Sequence, residues 1–385
     1  MTDIITTSSQ EWEHRVMRQP ILEAIDQIIE NDDFSEYGVV RDLEKEFAEW
    51  LGVSEAVAVN SGTSAIFLAL KAAGIGPGDE VVIAPNTCHS VTSGLGHVGA
   101  DFQFVDIDPD TFNMDPSLVE AAITEKTKAI FVVHMYGHPA DMDPLMAVAE
   151  KHDLMLFEDP ALATGARYKG KRVGSIAPVG IFSFGPHKLV SAVGGAGMIT
   201  TDDGELADAI RLIRAYGVPL DFINEGEVVN GIRLRDNMDH VSEAYNLKMD
   251  SIQAATVRLK LPKTEEWMKH RQSVAERYHE AFKDLPVDRP LAAPDVEHAY
   301  RLYVLCLENR DDARVHLAKQ GIETGILYSP PLHLQTIYRD LGWDEGSFPM
   351  AEDRAARLMT IPIFNGMTDE QVDRVIKAVR SYFGK

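Results

Sequence analysis

Seven short apolar runs recur between about residues 55 and 200: AVAVN, EVVIAP, DFQFVDID, AIFVVHM, LMLFED, VGIFSF and AGMITT. Helical patterns such as SAIFLALKAAG and DPLMAVAEKH fill gaps between them. That alternation predicts βαβ units, and hence an α/β fold with a mainly parallel sheet flanked by helices. The runs are apolar throughout instead of alternating, as expected for strands buried on both faces. Ligands in such sheets sit at the carboxyl ends of the strands. Three polar groups fall there: Asn60-Ser61-Gly62-Thr63, Pro85-Asn86-Thr87 and Glu158-Asp159.

The rest of the chain bounds the domains. After the helical ELADAIRLIRAYG, residues 217–245 lack periodicity and read as a long loop with functional or interface duties. A long amphipathic helix follows and is interrupted near Pro262. From about residue 285, YRLYVLCL, DDARVHLAKQG and DEQVDRVIKAVRSYF suffice for a small α+β domain. The expected division is a large domain over 1–255, N-terminal segment included, and a small one over 256–385. With 60 acidic against 37 basic residues the formal charge is −23, which argues against nucleic acid or an anionic membrane as partner. Any bound phosphate must then be held by local backbone donors. Two cysteines, no signal-like N-terminus and no apolar run near the roughly 18 residues of a membrane span predict a soluble, cytoplasmic protein.

Lys188 lies in GIFSFGPHKLVSAVGGAG, among small and apolar residues that lower a lysine pKa towards the uncharged, nucleophilic form. Pyridoxal phosphate chemistry needs such a lysine, together with a carboxylate to keep the pyridine nitrogen protonated, and Asp159 is the leading candidate. Gly62, Thr63 and Ser64 open the helix after the first strand, where free N–H groups and the positive dipole end bind anions.

These blocks, with VDIDPDTFNMDP, VVHMYGHPADMDPLMAVAEKH, YNLKMDSIQAATVRLKLP, LYSPPLHLQTIYRDLG and IPIFNGMTDEQVDRV, resemble the DegT/StrS-type sugar aminotransferases, fold-type I enzymes of pyridoxal phosphate. The resemblance covers nearly the whole chain. It implies a Schiff base on Lys188, which then moves protons, and a pairing of Asp159 with the pyridinium nitrogen. It places Ser183 with Gly62, Thr63 and Ser64 at the phosphate, and Asn246 at the phosphate of a partner subunit, so a homodimer shares its active sites. His333 matches a histidine of the family's small-domain loop, a candidate either for substrate contact or for stabilising the turn. No metal is implied, and His134 and His138 are not read as a metal pair, because Gly137 and Pro139 discourage the helix that such spacing requires.

Departures from the family pattern bear on the substrate. Leu162 stands where a glutamine is usual and cannot donate its hydrogen bond, leaving His187 or His89 as replacements. Cys88, followed by His89, stands where an aromatic ring usually stacks on the cofactor. Lys188 itself argues against the dehydratase branch, in which histidine replaces it. The expected activity is amine transfer from L-glutamate or L-glutamine to a keto sugar, nucleotide-linked, or to a keto cyclitol. Arg233, Arg235 and Arg301 are the local cations available to a diphosphate. The alternatives are other pyridoxal phosphate chemistry, namely dehydration, cyclisation or amination of a non-sugar metabolite, and a catalytically silent cofactor-binding regulator.

Overall fold

The computed structural model describes residues 4–34, 38–219, 228–229, 232–233 and 239–385. Arg235 and most of the 217–245 segment therefore lie outside the described residues, as does the side chain of Arg233.

Seven strands form one sheet: β1 (Glu55–Val59), β2 (Glu80–Ile83), β3 (Asp101–Phe104), β4 (Thr127–Val133), β5 (Met155–Asp159), β6 (Val179–Ser183) and β7 (Gly197–Thr201). Their order is β1-β7-β6-β5-β4-β2-β3. The pairs β2–β3, β2–β4, β4–β5 and β5–β6 are parallel. Strand β7 runs antiparallel to both neighbours, β1 and β6. Each of the seven apolar runs became a strand, and the mainly parallel sheet matches the expectation. Val57, Val82, Ile130, Phe157 and Phe182 are sealed from solvent. Each such side chain contributes roughly 1.5–3 kcal/mol of burial free energy.

Helices α1 (Glu11–Glu30), α2 (Val39–Leu51), α3 (Gly62–Ala72), α4 (His89–Val98), α5 (Met142–Lys151) and α6 (Gly204–Arg214) flank this sheet. Helix α7 (Ser251–Lys260) passes through a tight turn at Leu261–Lys263 into α8 (Thr264–Phe282). Pro262 has no N–H to continue the α-helical ladder, which explains the break. Beyond it, β8 (Tyr303–Cys306) pairs antiparallel with β9 (Leu358–Ile361), accompanied by α9 (Arg310–Lys319), α10 (Pro349–Arg357) and α11 (Asp369–Tyr382).

Apolar packing crosses residue 255 in both directions. Ile5 is buried with Tyr278, Phe282, Tyr303, Ile361 and Val375, and its N–H and carbonyl bond Gly321 and Glu323. Trp267, Leu332 and Phe348 conversely join the cluster that contains the sheet. Among the described residues no helix is long and apolar enough to cross a membrane.

Candidate functional site

The carboxyl ends of β4, β5 and β6 open into a cavity of about 210 Å³ whose lining includes Gly62, Thr63, Cys88, Asp159, Leu162, Ser183 and Lys188. Strand alternation assigns the acidic pair to opposite duties. Glu158 is sealed and accepts hydrogen bonds from the N–H groups of Gly174, Ile176 and Ala177 at 2.8, 2.8 and 2.6 Å. His134 Nδ1 accepts the Ala140 N–H at 2.9 Å, so its Nε2 donates to Glu158 at 3.0 Å. Both ring nitrogens of His134 are thus occupied by protein groups. Asp159 faces the cavity instead. Its Oδ1 accepts the Ala161 N–H at 2.9 Å, which leaves Oδ2 for a ligand. Burial raises its pKa, against the pull of that N–H and of Lys188.

Lys188 sits on the loop joining antiparallel β6 and β7, a connection closed by Phe184 N–H to Ala196 O and Ala192 N–H to Phe184 O, both 2.8 Å. The side chain keeps some surface towards the cavity, yet its amine lies deep enough for burial to lower its pKa to about 8. The Arg301 charge adds to this lowering, while Asp159 and Cys88 oppose it.

Helix α3 presents its N-terminus to the cavity. Ser61 caps it, its Oγ accepting the Ser64 N–H at 3.1 Å, so Ser64 is spent on the cap while Thr63 and Gly62 face the cavity. A Cβ on Gly62 would stand 2.6 Å from Ser183 Cβ, so glycine is what lets the helix end and β6 converge. Gly62→Ala is expected to cost about 1–3 kcal/mol through this overlap and to weaken phosphate capture. Thermal melting and titration with inorganic phosphate measure the two effects.

Four predicted residues lie elsewhere. Ser64 is the cap partner just described. His89 opens α4 and turns outwards, its Nδ1 3.1 Å from Tyr338 Oη and 3.2 Å from Thr92 Oγ1, so it lines no part of the cavity. Asn246 is exposed, in a bridge with Ala215. His333 is fully enclosed, bonded through Nε2 to Glu352 at 3.0 Å, and packs on Phe348. In this position it ties the turn to Glu352 and does not line the cavity. His187 is exposed and has a lowered pKa, chiefly from burial of its ring. Thr87, one of the polar residues expected at a strand end, lines the cavity, as do Tyr328 and Ser90, which were not anticipated. The small-domain segment carrying Tyr328 docks beside β2 through the Leu332 N–H to Pro85 O bond of 2.7 Å. The LYSPP turn was visible, but nothing local says which strand end it meets.

Comparison with known proteins decides what such a site belongs to. Residues 16–380 match the DegT/DnrJ/EryC1/StrS aminotransferase family. The chain belongs to this family. It is 38% identical over 341 residues, 88% of the chain and 86% of the relative, to the dTDP-3-amino-3,4,6-trideoxy-alpha-D-glucose transaminase of Streptomyces venezuelae. A Geobacillus stearothermophilus relative named as a pleiotropic regulatory protein is 35% identical, with 97% of each chain covered. The crystal structure of S. venezuelae DesV with a ketimine intermediate superposes with a TM-score of 0.93 at 34% identity, covering 100% of both chains. The PLP-form of the putative sugar aminotransferase Spr1654 from Streptococcus pneumoniae superposes at 0.83, with 28% identity and 93% and 95% coverage. As a member of this family the chain is an aminotransferase.

Proposed function

We propose that this aminotransferase uses pyridoxal phosphate to move an amine from L-glutamate or L-glutamine to a keto sugar. The observation that carries the reading is Lys188, a deeply placed amine of depressed pKa, in one cavity with Asp159 and the Gly62–Ser183 anion cradle. Such a donor set fits the cofactor. Gly62, Thr63 and Ser183 would hold its phosphate, Asp159 its ring nitrogen and Lys188 its aldehyde carbon. When bound, the group supplies that aldehyde and a conjugated ring that takes up electron density. Lys188 Nζ, an amine whose pKa is lowered to about 8, would also carry the proton taken from the substrate carbon.

The relatives named as sugar transaminases support a sugar ketone as acceptor, and their names specify dTDP- and UDP-linked sugars. Leu162 on the cavity wall offers apolar contact where a hydrogen-bonding side chain is usual. Residues 1–255 form the cofactor-binding unit and 256–385 the small one, which contributes Tyr328. A homodimer completes the site. Asn246 is exposed beside the exposed rings of Tyr216 and Tyr245 and the side chain of Val241, a patch that a second copy would cover and from which Asn246 would reach the partner's phosphate.

The test is a pair of half-reactions. L-Glutamate should bleach the cofactor's visible band, and a nucleotide-linked keto sugar should restore it. A band restored by no keto sugar or keto cyclitol would overturn the acceptor assignment. Cofactor capture has a pH signature as well. Protonated lysine cannot attack, and the folded-state pKa of Lys188 lies below the ordinary lysine value. Capture of pyridoxal phosphate by the apoprotein should therefore accelerate as pH rises and level off above about 8. Stopped-flow absorbance measures this, and a rise continuing to the ordinary lysine range would contradict it.

A further inference from the structure

Ser191 follows Lys188 on the β6–β7 loop, three positions along, and is sealed from solvent. Its hydroxyl is fully engaged: Oγ donates to Glu13 Oε1 at 3.0 Å and accepts from Gln10 Nε2 at 2.5 Å and Lys260 Nζ at 3.2 Å. Lys260 Nζ also donates to the Ser191 carbonyl at 2.6 Å and pairs with Glu13 Oε1 at 2.6 Å, which occupies all of its protons. Lys260 is 0% exposed and Glu13 2%. Glu13 lies in the first turn of α1 and Lys260 ends α7, so helices from distant parts of the chain meet on one loop residue. Asn365, beyond β9, adds a second hold. Its Nδ2 donates to Glu13 Oε2 at 3.3 Å and to the Leu189 carbonyl at 3.4 Å, while its Oδ1 accepts from Arg271 Nε at 2.7 Å.

Stability alone is a weak reason for such a pair. Removing an ammonium and a carboxylate from water carries a large desolvation penalty, and apolar side chains of like volume often serve as well or better. What an apolar pair cannot do is bond the Ser191 carbonyl and hydroxyl, and so fix the backbone directly after Lys188. Nor does the pair act on the amine through its field. The charges felt at Lys188 are those of Arg301, Asp159 and Cys88, with burial ahead of all three. Glu13 and Lys260, in contact at 2.6 Å, largely cancel each other beyond their own neighbourhood.

We propose that Glu13, Lys260 and Ser191 are positioning residues for Lys188: the buried ion pair grips the loop so that the amine is held deep in the cavity that Asp159 also lines. The inference rests on the Lys188 assignment and adds the device that places the amine. Covalent capture and proton transfer both depend on the position of one nitrogen, and a misplacement of about 1 Å costs about 100-fold. A loosened loop lets that nitrogen move towards water, which returns its pKa towards the ordinary lysine value.

Wild type, the double variant Glu13→Met with Lys260→Met, and Ser191→Ala would be compared. The double variant removes both charges together, leaves neither buried alone and keeps unbranched side chains, so it should melt within about 3 °C of wild type. Two readouts report position. In the apoprotein, pulse acetylation across a pH series, read by mass spectrometry of the Lys188 peptide, gives the pKa of that amine, which should rise from about 8 by about one unit. In the cofactor-loaded enzyme, the L-glutamate half-reaction should slow by about 10–100-fold. Ser191→Ala keeps the ion pair and loses the hydroxyl, and should move both readouts the same way by less. A folded double variant with the Lys188 pKa unmoved, or with the half-reaction at the wild-type rate, would overturn the proposal, whatever its melting temperature. Should the double variant not fold, Ser191→Ala decides by the same two measurements. Failure of wild type to attach the cofactor at Lys188 would instead sink the Lys188 assignment, while acetylation would still show whether the pair places the amine.

Discussion

Lys188→Ala should lower amine transfer by at least about four orders of magnitude, since the variant loses both the covalent attachment and the proton carrier. The fold should survive. Lys188 occupies a loop between β6 and β7, where the backbone bonds of Phe184 and Ala192 hold the connection without the lysine side chain. Removing it also removes an amine placed unfavourably in the protein, so melting should shift little. Borohydride treatment of wild type loaded with pyridoxal phosphate should fix the cofactor to one peptide containing Lys188, read by mass spectrometry, and the variant should carry no label. Lys188→Arg supplies the control. It keeps a cation near Asp159 but, with a pKa far above neutrality, offers no nucleophile. Equal losses in the two variants assign the effect to the neutral amine; a label appearing elsewhere would displace Lys188 from its role.

How far the residues announced this site varies with the range of the interaction that places them. Strand runs such as LMLFED and VGIFSF are local, and each gave a strand whose last residues, Asp159 and Ser183, reach the cavity. The choice between Glu158 and Asp159 follows from strand alternation together with the N–H groups of Gly174, Ile176 and Ala177, of which only the alternation is local. Ser64 read as a phosphate ligand because hydroxyl residues at helix starts serve caps and anions alike, and its bond with Ser61 shows the cap. Strand β9 was missed: LMTI is short, abuts the charged helix α10, and is defined by pairing with β8 more than fifty positions earlier. Tyr328 reaches the cavity only through tertiary docking of its segment on Pro85, and no periodicity encodes that contact. His333 carried a sound family match, but its environment of Phe104 on one side and of Phe348 and Glu352 on the other comes from two separate segments, β3 and the start of α10.

Asp159→Asn is the sharper test of the chemistry, because it changes one charge and almost no volume. Asp159 Oδ1 is fixed by the Ala161 N–H, and an asparagine can keep that bond through its own Oδ1. What it places in the Oδ2 position is an N–H donor. Such a donor pairs with an unprotonated pyridine nitrogen, whereas the carboxylate holds the proton there and lets the ring accept electron density. Half-reaction rates should therefore fall by about 10²–10³-fold, the scale of losing one preorganised electrostatic partner. Cofactor affinity should change far less, because Gly62, Thr63 and Ser183 are untouched. The same exchange moves the lysine. Asp159 opposes the lowering of the Lys188 pKa, so its loss should bring that pKa below about 8 and shift the pH dependence of cofactor capture downwards. Rate loss with the capture profile unmoved would mean that Asp159 acts on the ring alone; a shifted profile with the rate kept would mean that the ring nitrogen has another partner.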